Sequence, residues 1–222
     1  MKKIYILSYP RSGSFWVRWC LEFLLQTTRI SDHPKRSFQF ALKNNRVNLS
    51  TIFKPIDEYK LLKDHGVNQN FDDGNTTLIM VLRNYKECIP RQIIYKAQTK
   101  QQALNQYVRM IKRYDKWNGK KFIVYYEDLI TDPEKTLENL INIIDTKYVK
   151  NIKLLMQDYE EHKKGSLERY TTTGGKPESM TKGNSIIFHS KKLTIEQKQD
   201  YDQFIKLYKF CKKYLERYYE KN

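Results

Sequence analysis

Three stretches of the chain are apolar at nearly every position: "KIYILSY" (3–9), "TLIMVLR" (77–83) and "KFIVYYE" (121–127). A strand with one wet face alternates apolar and polar residues; a strand covered on both faces does not. These runs therefore predict parallel strands inside a layered fold. The intervening segments carry a helical period. Over 13–26, Trp16, Val17, Cys20, Leu21, Leu24 and Leu25 form one stripe, and two further helices are expected at about 86–98 and 101–117. "TDPEKTLENLINII" (131–144) opens with a capping-box pattern, Thr131 to Glu134 around Pro133, and buries Leu137, Leu140, Ile141 and Ile144. A last helix is expected over 194–218, with Tyr201, Phe204, Ile205, Tyr208, Cys211, Leu215 and Tyr218 on one side. Alternating strands and helices predict an α/β fold: a central parallel sheet with helices on both faces, three layers in one domain over 1–222.

Residues 27–76 are polar and irregular, and "GSLERYTTTGGKPESMTKGNS" (165–185) is rich in Gly, Ser and Thr. Ligands of such folds sit at the carboxyl ends of the strands, so 27–76 and 160–190 are expected to be acceptor-site loops or a lid. A mobile loop without function is the other reading of 165–185.

Composition narrows the picture modestly. With 40% hydrophobic and 14% aromatic residues in 222, the chain can build a full core. No segment is apolar for the ~20 residues that a membrane span needs, and "MKKIYILSYP" lacks the long apolar stretch of a secretory signal. A cytoplasmic protein is expected. Cys20, Cys88 and Cys211 are widely spaced, with no C-x-x-C or Cys/His cluster, so reduced, half-buried thiols are expected and no metal site. The net charge of +16 suits either a nucleic-acid binder or an enzyme whose ligand carries several negative charges.

The first strand runs into "SYPRSGSFW" (8–16). Ser12, Gly13, Ser14 and Phe15 would offer consecutive backbone N–H groups at a helix start, where an anion is favoured, and Arg11 adds a forked cation. G-x-x-x-x-G-K-[ST] cannot be written over these residues, and the missing Ser/Thr is the one that would bind magnesium. Glu127 and Asp128 could imitate a metal-binding acidic corner, but a phosphate ligand handled without metal fits the loop better.

Four segments, in order, resemble the cytosolic sulfotransferase family. "SYPRSGSFW" is similar to its T-Y-P-K-S-G-T-T-W loop, and "LKDHG" (62–66) to its K-T-H segment. "VLRNYKECIPR" (81–91) is similar to V-x-R-N-P-K-D-x-x-x-S, and "VYYEDLITDPEKTLENLINII" (124–144) to the Y-E-D-x-x-x-D-P strand and helix. The resemblance covers 4–144 and implies a P-loop-like α/β domain. It also implies the donor 3′-phosphoadenosine 5′-phosphosulfate (PAPS), with adenosine 3′,5′-bisphosphate (PAP) as product.

Position by position, the resemblance makes Arg11 the cation at the oxygen bridging phosphate and sulfate. Ser12, Gly13, Ser14 and Phe15 surround the 5′-phosphate, with Phe15 standing where the family has threonine. Trp16 takes the place of the adenine-stacking tryptophan, although its spacing equally suits a core aromatic. His65 is implied as the base that takes the acceptor proton, and Lys63 as the cation on the sulfonyl oxygens. Arg83 is implied at the 3′-phosphate and Tyr126 beside adenine. Arg91 replaces a family serine; it either reaches the same phosphate or points away. Glu127 and Asp128 are expected to fix the strand end and its turn. Beyond 144 the match fades to Lys182 and Gly183 of "TKGNSIIFHSKKLT", implied near the 3′-phosphate. His33, His162 and His189 have no comparable setting.

The expected function is transfer of a sulfuryl group from PAPS to a hydroxyl or amine of a small-molecule or glycan acceptor, with no metal and no nucleic-acid partner. A P-loop small-molecule kinase or nucleotide hydrolase and a basic nucleic-acid-binding protein are the alternatives. Neither acceptor identity nor oligomeric state is written in the sequence.

Overall fold

The computed structural model of the chain describes residues 1–30, 38–43, 48–49, 53–64, 74–96, 98–172 and 193–219. Four strands, β1 (Lys2–Ser8), β2 (Tyr59–Asp64), β3 (Thr76–Leu82) and β4 (Lys121–Tyr125), form one parallel sheet in the order β2-β1-β3-β4. The helices among the described residues are α1 (Ser14–Leu24), α2 (Phe38–Lys43), α3 (Tyr85–Lys96), α4 (Lys100–Asp115), α5 (Tyr126–Thr131), α6 (Pro133–Ile144), α7 (Lys150–Gln157), α8 (Tyr159–Thr172), α9 (Ile195–Lys206) and α10 (Lys212–Leu215). Short 3-10 turns fill 146–148, 209–211 and 216–218.

Side chains alternate across each strand, and both sets are buried along β1 and β3 and half-buried along most of β4. Ile4, Ile6, Ile79, Val81 and Val124 pack with α1, α6 and α7 on one face. Tyr5, Leu7, Leu78, Met80 and Leu82 pack with α3, α4 and α9 on the other. Helices thus cover both faces, which is why these strands show no polar alternation.

The sequence left β2 inside an irregular region. "YKLLKD" is an edge strand and carries Lys60 and Lys63, charges that an edge tolerates and a central strand does not. The third predicted strand stops at Tyr125, and Tyr126 already begins α5. The capping box expected at Thr131 is not formed. Thr131 Oγ1 donates to the Glu127 carbonyl within α5, and Asp132 caps α6 by accepting the Lys135 N–H at 3.2 Å. The helix expected over 194–218 is broken after α9: Tyr208 takes φ −101°, ψ 85°, and 3-10 turns flank the short α10. Residues 165–172, expected as loop, continue α8. Cys20, Cys88 and Cys211 are thiols outside any disulfide and are fully buried rather than half-buried, and burial pushes the Cys88 thiol up to about 12. Among the described residues no helix is long and apolar enough to cross a membrane.

The topology fixes where a ligand belongs. The chain leaves β1 through α1 toward β2, and leaves β3 through α3 toward β4, on opposite faces of the sheet. Between the carboxyl ends of β1 and β3 the two connections diverge and open a crevice.

Candidate functional site

The turn after β1 forms one wall of this crevice. Arg11 sits at φ 68° and Gly13 at φ 81°, both in the left-handed region. For arginine that conformation costs about 1–2 kcal/mol, and such strain is kept where a loop shape matters. Gly13 is the N-cap of α1 and, lacking a side chain, gives the helix no cap hydrogen bond; no acidic residue lies in the first turn. The opening N–H groups of a helix have no intrahelical acceptor, and the macrodipole adds partial positive charge to them. Ser12 is fully buried, and its Oγ has no hydrogen-bond partner among the described residues. An uncapped helix start beside an unspent buried hydroxyl is suited to an anion.

Glycine is required at position 13 for a second reason. A Cβ there would lie closer than 3.0 Å to Cδ2 and Cε2 of Tyr126. The Tyr126 ring, at the start of α5, therefore closes directly over the turn. The Arg83 guanidinium lies 4.3 Å from the ring centroid. Arg83 Nη1 also donates to the Arg11 carbonyl at 3.3 Å, joining the two strand ends across the crevice.

Arg83 binds Glu87 through Nη2 at 2.7 Å and Nε at 3.2 Å. Arg91 lies two helical turns further along α3, and its buried Nε has no hydrogen-bond partner among the described residues. Its pKa is lowered, first by burial and then by the charge of Arg83. Two guanidinium groups thus repel one another across a site whose nearby carboxylate, Glu87, is already bonded to one of them. An added anion would relieve that repulsion.

Lys63, near the end of β2, projects to the same face as Tyr59 and Leu61 and lies over Phe15, with Nζ 3.5 Å from the ring centroid. Trp16 is 9% exposed, sits in the core beneath α1, and meets Tyr159 of α8 edge-on at 5.7 Å. In this arrangement it is a core aromatic, and no broad ring face is open to a base. His65, Lys182 and Gly183 lie outside the described residues.

The acidic pair after β4 is committed to structure. Glu127 accepts the Asn84 N–H at 3.0 Å and the Tyr218 hydroxyl at 2.6 Å; Asp128 takes a bidentate pair from Arg217 at 2.9 and 2.6 Å. Among the described residues no three His, Cys, Asp or Glu side chains are grouped as for a metal ion.

Two features were missed by sequence reasoning. Arg18 and Glu22 form a fully buried ion pair at 3.0 Å on α1, and Glu22 Oε2 also accepts the Phe38 N–H at 2.5 Å. Their i, i+4 spacing was the available signal. His162 is fully buried among Trp19, Phe23 and Phe38, and its Nδ1 accepts the Trp19 indole N–H at 3.1 Å. Burial lowers its pKa to about 4.

No protein-family model matches the chain, and no curated protein matches it by sequence. Its fold is matched by solved structures. A mouse sulfotransferase, SULT7A1, complexed with PAP is 14% identical, with a TM-score of 0.51 over 93% of this chain and 84% of that one. A retinol dehydratase in complex with androsterone and inactive cofactor PAP is 12% identical, with a TM-score of 0.55 over 95% of this chain and 80% of that one. At such identities the likeness establishes the fold: this chain is built as those proteins are.

Proposed function

We propose that this protein is a sulfotransferase that moves a sulfuryl group from PAPS to an acceptor hydroxyl or amine and releases PAP. One observation carries the reading. At the crevice between β1 and β3, the uncapped start of α1 and the Arg83 guanidinium both touch the Tyr126 ring, and Arg91 feels the charge of Arg83; in this reading the helix start and the arginine pair each take one anion. A nucleotide with one phosphate at its 5′ side and another at its 3′ side satisfies both. The shared fold with two PAP-bound proteins supports the same ligand.

In this reading Ser12, Gly13, Ser14 and Phe15 hold the 5′-phosphate. Arg83 and Arg91, with Lys182 and Gly183, hold the 3′-phosphate. Tyr126 lies beside adenine, and Trp16 reaches it only if Tyr159 turns aside. The acceptor oxygen or nitrogen bonds to sulfur as the bond from sulfur to the bridging oxygen breaks, and that electron pair stays on the departing 5′-phosphate. Arg11 stabilises the charge gathering there, since an always-charged guanidinium serves well as an electrostatic partner. Lys63 stabilises the sulfonyl oxygens, and His65 accepts the acceptor proton. The acceptor is a small molecule or glycan.

Calorimetry with PAP, with ATP in the presence and absence of magnesium, and with a short oligonucleotide tests the reading. PAP is expected to bind without magnesium, and more tightly than 5′-AMP, which lacks the 3′-phosphate. Failure of PAP to bind overturns the proposal; tight, magnesium-dependent ATP binding would point to a kinase, and steeply salt-dependent oligonucleotide binding to a nucleic-acid protein. His65→Ala is expected to abolish transfer from labelled PAPS while leaving PAP affinity within about twofold.

A further inference from the structure

We propose that Phe15 is a positioning residue for Lys63: its ring holds the ammonium in place beside the start of α1. The Lys63 Nζ lies 3.5 Å from the Phe15 centroid, direct contact with the ring face. The same ring takes a second cation, with the Arg18 guanidinium carbon 5.1 Å from its centroid. Arg18 is itself immobilised, fully buried and paired with Glu22 at 3.0 Å, and Glu22 is tied to the first turn of α2 through the Phe38 N–H. A chain of contacts therefore runs from a buried ion pair, through an aromatic ring, to an ammonium near the end of β2.

The physical consequence lies in the freedom of Lys63. A free lysine side chain spreads its charge over many rotamers, and ordering it costs up to about 2 kcal/mol. A ring quadrupole that attracts the ammonium removes part of that freedom in advance, so the charge is already placed when an anion arrives. Where threonine would supply a hydroxyl, phenylalanine supplies a seat for a cation. Phe15 also sits in the first turn of α1, so its backbone belongs to the anion cradle while its ring sets the neighbouring charge. The placement of Lys63 follows from the contact itself; its effect on a sulfuryl group rests on the sulfotransferase reading.

The experiment separates the two. In the full-length protein, the NMR signal of the Lys63 ε-methylene, assigned by its loss in Lys63→Arg, is expected upfield of ordinary lysines because it lies over the ring. It should return to the ordinary position in Phe15→Leu and stay displaced in Phe15→Tyr. Calorimetry with PAP and PAPS then reads the consequence. Phe15→Leu should weaken PAPS about 2- to 30-fold, the range of a cation–π contact, and more than it weakens PAP, with rescue by Phe15→Tyr. In a Lys63→Met background, Phe15→Leu should have no further effect on PAPS. A Lys63 signal at the ordinary position in the parent protein, or equal weakening of PAP and PAPS by Phe15→Leu, overturns the inference. A displaced signal in a protein that binds neither nucleotide upholds the contact and removes the donor reading instead.

Discussion

Replacing Gly13 with alanine isolates the contact on which the crevice depends. Two effects add. An L-residue held at φ 81° costs about 1–2 kcal/mol, since its Cβ crowds the following carbonyl. The new methyl also lies closer than 3.0 Å to two Tyr126 ring carbons, so the ring must move. Moving it breaks the Arg83 contact at 4.3 Å, worth about 0.5–2 kcal/mol. Together the loss is roughly 1.5–4 kcal/mol, and for a chain of this size that lowers Tm by about 3–16 °C.

Thermal unfolding reads the sum, and a double-mutant cycle divides it. In a Tyr126→Ala background the obstacle is gone, and Gly13→Ala should cost only the backbone part, about 1–2 kcal/mol. Calorimetry with PAP adds the functional half: displacing Tyr126 loosens Arg83, and affinity should fall about tenfold. If Gly13→Ala unfolds within about 1 °C of the parent and binds PAP equally well, the reasoning fails. Equal costs of Gly13→Ala in both backgrounds would leave only the backbone strain and refute the role given to Tyr126.

Two further outcomes follow from the same site and its surroundings. Arg91→Ser should lower PAP affinity by about 10- to 100-fold while changing 5′-AMP little, the loss of one charge-assisted contact to the 3′-phosphate; equal losses for both ligands would place Arg91 elsewhere. His162, kept neutral by burial, has its pKa lowered from 6.5 to about 4. The unfolded chain therefore binds the extra proton first, and stability falls as pH drops from 6.5 to 4, by about 3 kcal/mol in total. Urea titrations at intervals across this window should show that slope in the parent and a shallower one in His162→Gln; parallel slopes would exclude His162 as its source.

How much of this was legible follows from what each feature depends on. β1, β3 and β4 were readable because burial on both faces writes itself into consecutive residues. β2 was not, because an edge strand needs only Leu61 and Leu62 among its lysines. Thr131 matched a capping pattern, but one residue later Asp132 offers the same chemistry next to Pro133, and the helix starts there. The boxes that do form, Thr99 with Gln102 and Thr194 with Gln197, use glutamine in the fourth position and went unread. The turn after β1, Arg83 and Tyr126 were singled out as residues, yet their mutual contacts were not, since a sequence does not say which ring lies on which glycine. Phe15 was unexplained for the same reason. Its partner, Lys63, lies on the strand that was missed.

The two halves of the crevice hang from different layers. The turn after β1 leads into α1, whose core lies on one face of the sheet; Arg83 precedes α3 and Arg91 lies in its second turn, and the core of that helix lies on the other. The paired strands β1 and β3 fix the separation of their own ends, but not the orientation of the turns that leave them on opposite faces. The polar contacts at the strand ends fix that orientation. Arg83 reaches across to the Arg11 carbonyl, Tyr126 lies on Gly13, and Glu127 holds the Asn84 N–H that opens α3. Glu127 is in turn held by Tyr218, from the 3-10 turn near the end of the chain, and Asp128 beside it by Arg217. On the proposed reading, the turns that would hold the two phosphates are thus held together through α5 and braced from the last described turn. That is why the acidic pair of "YYED" belongs to the frame of the site rather than to its chemistry.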